Sequence, residues 1–208
     1  LSSFFKSLLA QELPCSQICL MLRDNGSIDD TQVLLRAFIQ EHANAFAMVH
    51  LDIGENLGFG RGHNENLKRA EGDFLLVTNV DLEFEPATLR VLLNEATSNF
   101  VNVAAWECRQ KPFEHPKHYD PVTSETLWCS SACVLFRTSV LKQIGGYEPA
   151  LFMYGEDVEL SYRLRDHGYC LHYVPKAVVW HYSYEEAGQV KPLQFLGSTM
   201  ANVLLRCR

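Results

Sequence analysis

The sequence predicts an α/β fold: a mostly parallel sheet flanked by helices. Three observations carry that expectation. Short apolar runs suited to buried strands alternate with amphipathic stretches at helical spacing. Polar and glycine-rich clusters fall just after those runs, at the strand ends where ligands of such sheets bind. The 208 residues, 47% hydrophobic and 21% charged, suffice for one substantial core.

The elements follow in order. Residues 4–11 read as a helix ending near Pro14. "QICLML" (17–22) suits a buried strand, and "DNGS" (24–27) follows as a turn. "DDTQVLLRAFIQEH" is a helix capped by Asp29 or Asp30, with Val33, Leu34, Ala37 and Phe38 as its expected inner face. "AFAMVHLD" (45–52) is a second strand. A glycine-rich loop then leads into a helix over about 64–70. "DFLLVTNV" (73–80) is a third strand, and "EPATLRVLLNEATS" a helix with Pro86 at its start. Beyond residue 102 the pattern loosens. "VNVAAWEC" reads as a strand. Residues 109–128 are long, polar and rich in proline and aromatics, a length of loop that is usually functional or mobile. "SACVLFR" (131–137) is another strand, and "TSVLKQIGG" a short helix stopped by glycine. "CLHYVPKAVVWHY" (170–182) reads as two strands broken at Pro175, and residues 191–208 as an amphipathic helix.

Composition narrows the function classes. A net charge of −7 argues against nucleic acid, since phosphate backbones call for a basic face. No apolar run reaches membrane-spanning length, and the first residues lack a basic leader. Seven cysteines, with no C-x-x-C spacing, read as buried thiols in a reducing cytosol rather than disulfides or zinc ligands.

Four clusters have the residue types for chemistry. In "NLGFGRGHNENLKRAEG" (56–72), Gly58, Gly60 and Gly62 allow close backbone approach or positive φ, with a helix N-terminus behind them. It matches neither a P-loop nor a dinucleotide fingerprint, and a simple tight turn explains it equally well. In "TNVDLEFEP" (78–86), Asn79, Asp81 and Glu83 share one face of an extended segment, a set suited to Mg²⁺ or Mn²⁺; capping of the helix entered at Pro86 is the plainer alternative. His181 ends an apolar strand and is either a metal ligand or a hydrogen-bonded residue at a core edge. In "FMYGEDVELSYRLRDHG" (152–168), Glu156 and Asp157 open a helix that stops at Gly168. Carboxylates there commonly serve as caps and complement the helix dipole.

The ordered runs "DNGSIDDT", "NLGFGRGHN", "GDFLLVTNVD", "IGGYEPALFMYGEDVELSYRLRDHGY" and "YVPKAVVWHY" resemble glycosyltransferase family 2, above all its rhamnosyltransferase-like branch, which has the GT-A fold. The resemblance covers nearly the whole chain. It implies a metal-assisted, inverting hexosyl transfer from a nucleotide-diphosphate sugar, dTDP- or UDP-linked, to a hydroxyl of a glycan or lipid-linked acceptor in polysaccharide biosynthesis. Asp24 then corresponds to the aspartate that accepts from the base N3–H. Asn56, Gly58, Gly60 and Asn64 correspond to the donor loop, and Asn79 and Asp81 to the metal motif, with Asp81 as ligand of Mg²⁺ or Mn²⁺. Asp157 corresponds to the catalytic base, Glu156 to its supporting neighbour, and His181 to the histidine completing the metal site. Trp128 to Ala132, including Ser131, corresponds to the stretch lining the sugar and acceptor pocket.

Ser131 stands where the family commonly has glycine, and Asn-Val-Asp replaces the fuller Asp-x-Asp. The chain opens in the helix that usually follows the family's first strand, so that strand is expected to be missing and the sequence to be part of a longer protein. One catalytic domain over 1–208 is expected, with a donor half (1–100) and an acceptor half (101–208). The cysteine usage places it in the cytoplasm, and the acidic surface and lack of a spanning segment leave room for peripheral contact at the inner membrane face. The alternative is a non-catalytic module binding sugar nucleotide or glycan within a larger glycan-assembly protein. A nucleotidyltransferase is a further rival, but the basic glycine-rich loop it would need near the first strand is not visible.

Overall fold

The structure is a computed structural model describing residues 1–98, 102–114, 117–182 and 192–206. Helix α1 (Ser2–Leu9) precedes β1 (Cys19–Asp24), α2 (Thr31–His42), β2 (Met48–Ile53) and α3 (Phe59–Arg69). Then come β3 (Phe74–Thr78), β4 (Leu82–Phe84), α4 (Thr88–Thr97) and β5 (Val103–Lys111). The remainder is β6 (Glu125–Thr126), β7 (Cys133–Arg137), α5 (Thr138–Gln143), α6 (Glu156–Asp166), β8 (Cys170–His181) and α7 (Pro192–Arg206). Cys207 lies outside the described residues.

The α/β class holds, with a sheet that mixes strand directions. β1 and β2 form a parallel pair. A second sheet runs β3-β7-β5-β8-β4, with β6 also on β8. Within it β5 and β8 are parallel and the other pairings antiparallel. No ladder joins β1 to β3 among the described residues. On β1, the Met21 carbonyl instead accepts from Asn66 of α3 at 3.4 Å.

Alternation along β3 explains the layering. Phe74 and Leu76 point to one core, with Phe4, Phe5, Leu92 and Trp106; Leu75 and Val77 point to the other, with Leu141, Tyr147, Leu160 and Leu164. Two expectations shift. The inner face of α2 is not Val33–Leu34–Ala37, all of which are exposed; Leu35 is buried, and Phe38 and Ile39 pack against the core beside it. Stacking of Phe38 on Phe5 of α1, with ring centroids 3.7 Å apart, sets that rotation. And residues 170–181 form one strand rather than two. Pro175, which has no N–H to give the ladder, sits in a bulge where the register jumps from Cys108↔Val174 to Arg109↔Val178.

Among the described residues no helix is long and apolar enough to cross a membrane. The described cysteines are all free thiols, but only Cys108, Cys129 and Cys133 are buried as expected; Cys19 is exposed, and Cys15 and Cys170 are half-buried.

Candidate active site

The glycine loop and the Glu-Asp motif meet. Gly58 has φ +81, and a side chain there would strike the Phe152 carbonyl oxygen at 2.2 Å. Phe59 N–H donates to that same carbonyl at 2.8 Å. Helix α3 starts about five residues before its expected point, so Gly60 and Gly62 are helical. Gly60 is needed for packing: a Cβ there would lie 2.8 Å from Tyr147 and 3.8 Å from Glu156. Asn56 Oδ1 accepts from Gly58 N–H, and Asn25 donates to the Gly58 carbonyl, both at 2.9 Å. Asn64 has its amide engaged with the backbone of Tyr147, donating to the carbonyl and accepting from the N–H at 2.8 Å each.

Asp24 ends β1 and is buried. Its carboxylate accepts from Ser27 N–H at 3.2 Å and Gln32 Nε2 at 2.7 Å, closing the turn after the strand. Arg23 beside it pairs with Asp52 and donates to Asn25 Oδ1, tying the ends of β1 and β2 together.

Two left-handed residues, Tyr154 (φ +67) and Gly155 (φ +91), launch α6. For tyrosine this backbone is strained, and such strain concentrates at functional sites. Gly155 faces Ala201 of α7, where a Cβ would sit at 2.3 Å. The helix that follows carries Glu156 and Asp157. Glu156 is 6% exposed, and its Oε2 has no hydrogen-bond partner among the described residues. Desolvation, then the charge of Asp157, pushes its carboxyl up to about 7. Asp157 is also raised, chiefly by desolvation, against the backbone N–H groups of Val158 and Ser131 that accumulate on it. The pair therefore acts as one site that gives up its second proton reluctantly.

The metal candidates come together as well. Asp81 Oδ1 lies 3.2 Å from His181 Nε2, and Asn79 Nδ2 lies 3.5 Å from the same nitrogen. Pairing of Leu82 with His181 on β4 and β8 sets this contact. The other ring nitrogen faces Gln110 Oε1 at 2.9 Å. Asp81 Oδ1 and His181 Nε2 thus face each other, and a carboxylate oxygen and an imidazole nitrogen are both atom types that a divalent cation accepts. Among the described residues no third His, Cys, Asp or Glu joins them. Asn79 N–H donates to the Ala132 carbonyl at 2.9 Å, and three residues earlier Cys129 N–H donates to Ser161 Oγ, which donates to the Asp157 carbonyl, so one short segment links the two carboxylate sites.

Sequence reasoning missed three polar residues around this centre. Gln110 orients His181. Glu107 and Lys117 form a buried ion pair beneath Trp128. A signal for Glu107 existed: a charged residue amid the apolar run "VAAWEC" is out of place unless paired.

Residues 1–154 match the family described as "Glycosyl transferase family 2". The chain belongs to that family. A second family, "Glycosyltransferase like family 2", matches residues 120–195. Among curated relatives, this family-2 chain is 28% identical over 236 residues to the N-acetylglucosaminyl-diphospho-decaprenol L-rhamnosyltransferase of Mycobacterium tuberculosis, covering 91% of this chain and 74% of the relative. It is 25% identical over 210 residues to the rhamnosyltransferase WbbL of Escherichia coli, covering 80% and 74%. Among solved structures it resembles a Pyrobaculum calidifontis mannosyltransferase in complex with GDP-Man and Mn²⁺, with TM-score 0.71 and 18% identity over 89% of this chain and 53% of that one. It also resembles GalNAc-T7 with UDP, GalNAc and Mn²⁺, with TM-score 0.73 and 15% identity over 96% of this chain and 44% of that one. The chain spans about half the length of these two structures. Likeness at such identity is one of fold, and the fold is GT-A.

Proposed function

We propose that this chain is the catalytic domain of an inverting glycosyltransferase, moving a hexose such as rhamnose from a dTDP- or UDP-sugar to a lipid-linked glycan hydroxyl. The observation that carries the reading is the buried Glu156–Asp157 pair, linked through Ser161, residues 129–132 and Asn79 to Asp81 and His181. The relative whose name specifies a diphospho-decaprenol acceptor supports the acceptor class.

Asp157 is the general base. A carboxylate held well below its ordinary range would take an acceptor proton poorly, and burial keeps Asp157 above it. Glu156 keeps the pair singly charged up to about pH 7 by holding the first proton. Residues 1–100 form the donor half. Asp24 receives the base N3–H, and a carboxylate has lone pairs left beyond Ser27 and Gln32. The loop of Asn56, Gly58, Gly60 and Asn64 shapes the donor pocket, and residues 101–208 supply the acceptor side through Trp128 and Ser131. Asp81 and His181 would hold Mg²⁺ or Mn²⁺. That ion, when bound, would offset the charge of the leaving diphosphate. Transfer to a lipid-linked acceptor would take place at the inner face of the membrane.

A thermal-shift screen of UDP- and dTDP-sugars with and without Mn²⁺, paired with nucleoside diphosphate release, tests the reading. Metal-dependent binding with turnover supports it. Binding without turnover on any acceptor would favour the non-catalytic module.

A further inference from the structure

The buried ion pair lies outside the machinery described so far, yet it adjoins it. Glu107 on β5 and Lys117 in the β5–β6 connection pair with side chains only 3% and 5% exposed. Removing two charges from water costs several kcal/mol, and an apolar pair of similar volume would usually be at least as stable. Stability alone thus gives little reason for the pair. Its contacts suggest another. Lys117 Nζ also donates to the Trp128 carbonyl at 2.9 Å and sits 4.3 Å from the Trp128 ring centroid. Cys129 N–H donates to Ser161 Oγ at 3.1 Å, and that hydroxyl donates to the Asp157 carbonyl at 2.7 Å. The Ser131 hydroxyl lies 2.7 Å from Tyr147 OH. The segment Trp128–Ser131 is therefore fastened at Trp128 to the ion pair and at Cys129, through Ser161, to the backbone of the proposed base.

We propose that Lys117 and Glu107 are positioning residues for sugar transfer: the pair holds Trp128–Ser131 as a rigid strap that keeps Asp157 aimed at the acceptor. The proposal rests on Asp157 being the base. The groups whose charge or titration bears on that carboxylate are Glu156, Glu107, Lys117, Tyr147 and Cys129. Lys117 supplies the positive charge among them, so its loss makes the ionised base harder to form.

The test uses Lys117→Met, Lys117→Arg and the double variant Lys117→Met/Glu107→Leu, which leaves no buried charge behind. With UDP- and dTDP-sugars plus Mn²⁺, Lys117→Met should lower kcat roughly 10–100-fold, the size expected for a displaced reacting group. Donor KM should change several-fold less than kcat, since the loop of Asn56, Gly58, Gly60 and Asn64 is untouched. The acid limb of the kcat–pH profile should move to higher pH. Lys117→Arg should restore the limb and most of kcat, and the double variant should fold yet keep the kcat defect. A second readout needs no turnover: alkylation of Cys129 by iodoacetamide, mapped by mass spectrometry, should quicken at least tenfold in Lys117→Met and stay slow in Lys117→Arg. Wild-type kcat and limb in Lys117→Met or in the double variant would overturn the proposal. If the wild-type chain releases no nucleoside diphosphate, the transferase reading fails instead, and unchanged Cys129 protection in Lys117→Met would then sink the strap on its own terms.

Discussion

Glu156→Gln should make the protein more stable at pH 8 and change it far less at pH 5. The folded-state carboxyl of Glu156 is raised from 4.5 to about 7, mainly by desolvation and then by the charge of Asp157. Between those values the native side chain keeps a proton that the unfolded chain has released. Its contribution to stability is therefore fully present below pH 4.5 and lost as pH rises through about 7. Complete ionisation costs about 3 kcal/mol at roughly 1.4 kcal/mol per pH unit, and at pH 5 less than about 1 kcal/mol of this has been lost. Glutamine has the same shape and never ionises. Its amide meets the same lack of partners as Glu156 Oε2, but that penalty is equal at both pH values and cancels in the comparison. For a chain of this size 1 kcal/mol moves Tm by roughly 2–4 °C. The variant should thus gain about 5–10 °C over wild type at pH 8 relative to its gain at pH 5, read by circular dichroism melts. A Tm difference independent of pH, or one that moves toward wild type between pH 5 and pH 8, would refute the assignment of Glu156 as a buried carboxyl that resists ionisation.

Other expectations are direct. Asp157→Asn should reduce kcat by roughly 10²–10⁴-fold, the usual range for a lost general base, while the thermal shift given by UDP-sugars persists; equal loss of both would count against the base. Gln110→Leu removes the partner of His181 Nδ1 and should weaken Mn²⁺ binding in the presence of UDP by roughly 10–100-fold, measured by metal titration. Gly58→Ala should cost about 1–3 kcal/mol from the left-handed backbone alone, with a further cost from the collision at Phe152, read as a lower urea midpoint.

Much of the fold was legible because period and punctuation are local. "TSVLKQIGG" and "VELSYRLRDHG" carry their helical spacing and glycine stops within a dozen residues, and both helices stand where the pattern puts them. The start of α3 was not legible. Gly60 and Gly62 read as loop because their reason for being glycine is close packing, Gly60 on Tyr147 and Gly62 beside Asn25, at positions distant in sequence. The rotation of α2 failed for the same cause: Val33 and Phe38 are equally apolar, and only the α1 contact chooses between faces.

By itself the sequence determined the α/β class, the order of its elements and the residue types that collect after the strands, since these follow from periodicity, capping and turn chemistry along a few neighbouring residues. Only tertiary structure decided that Asp81 meets His181, that Gly58 backs onto Phe152, and that Glu107 and Lys117 share a pocket under Trp128. Each of these contacts closes a chain segment through strand pairing or long-range packing. Their chemistry depends on burial and on a distance of a few ångströms, neither of which is a property of any residue taken with its sequence neighbours.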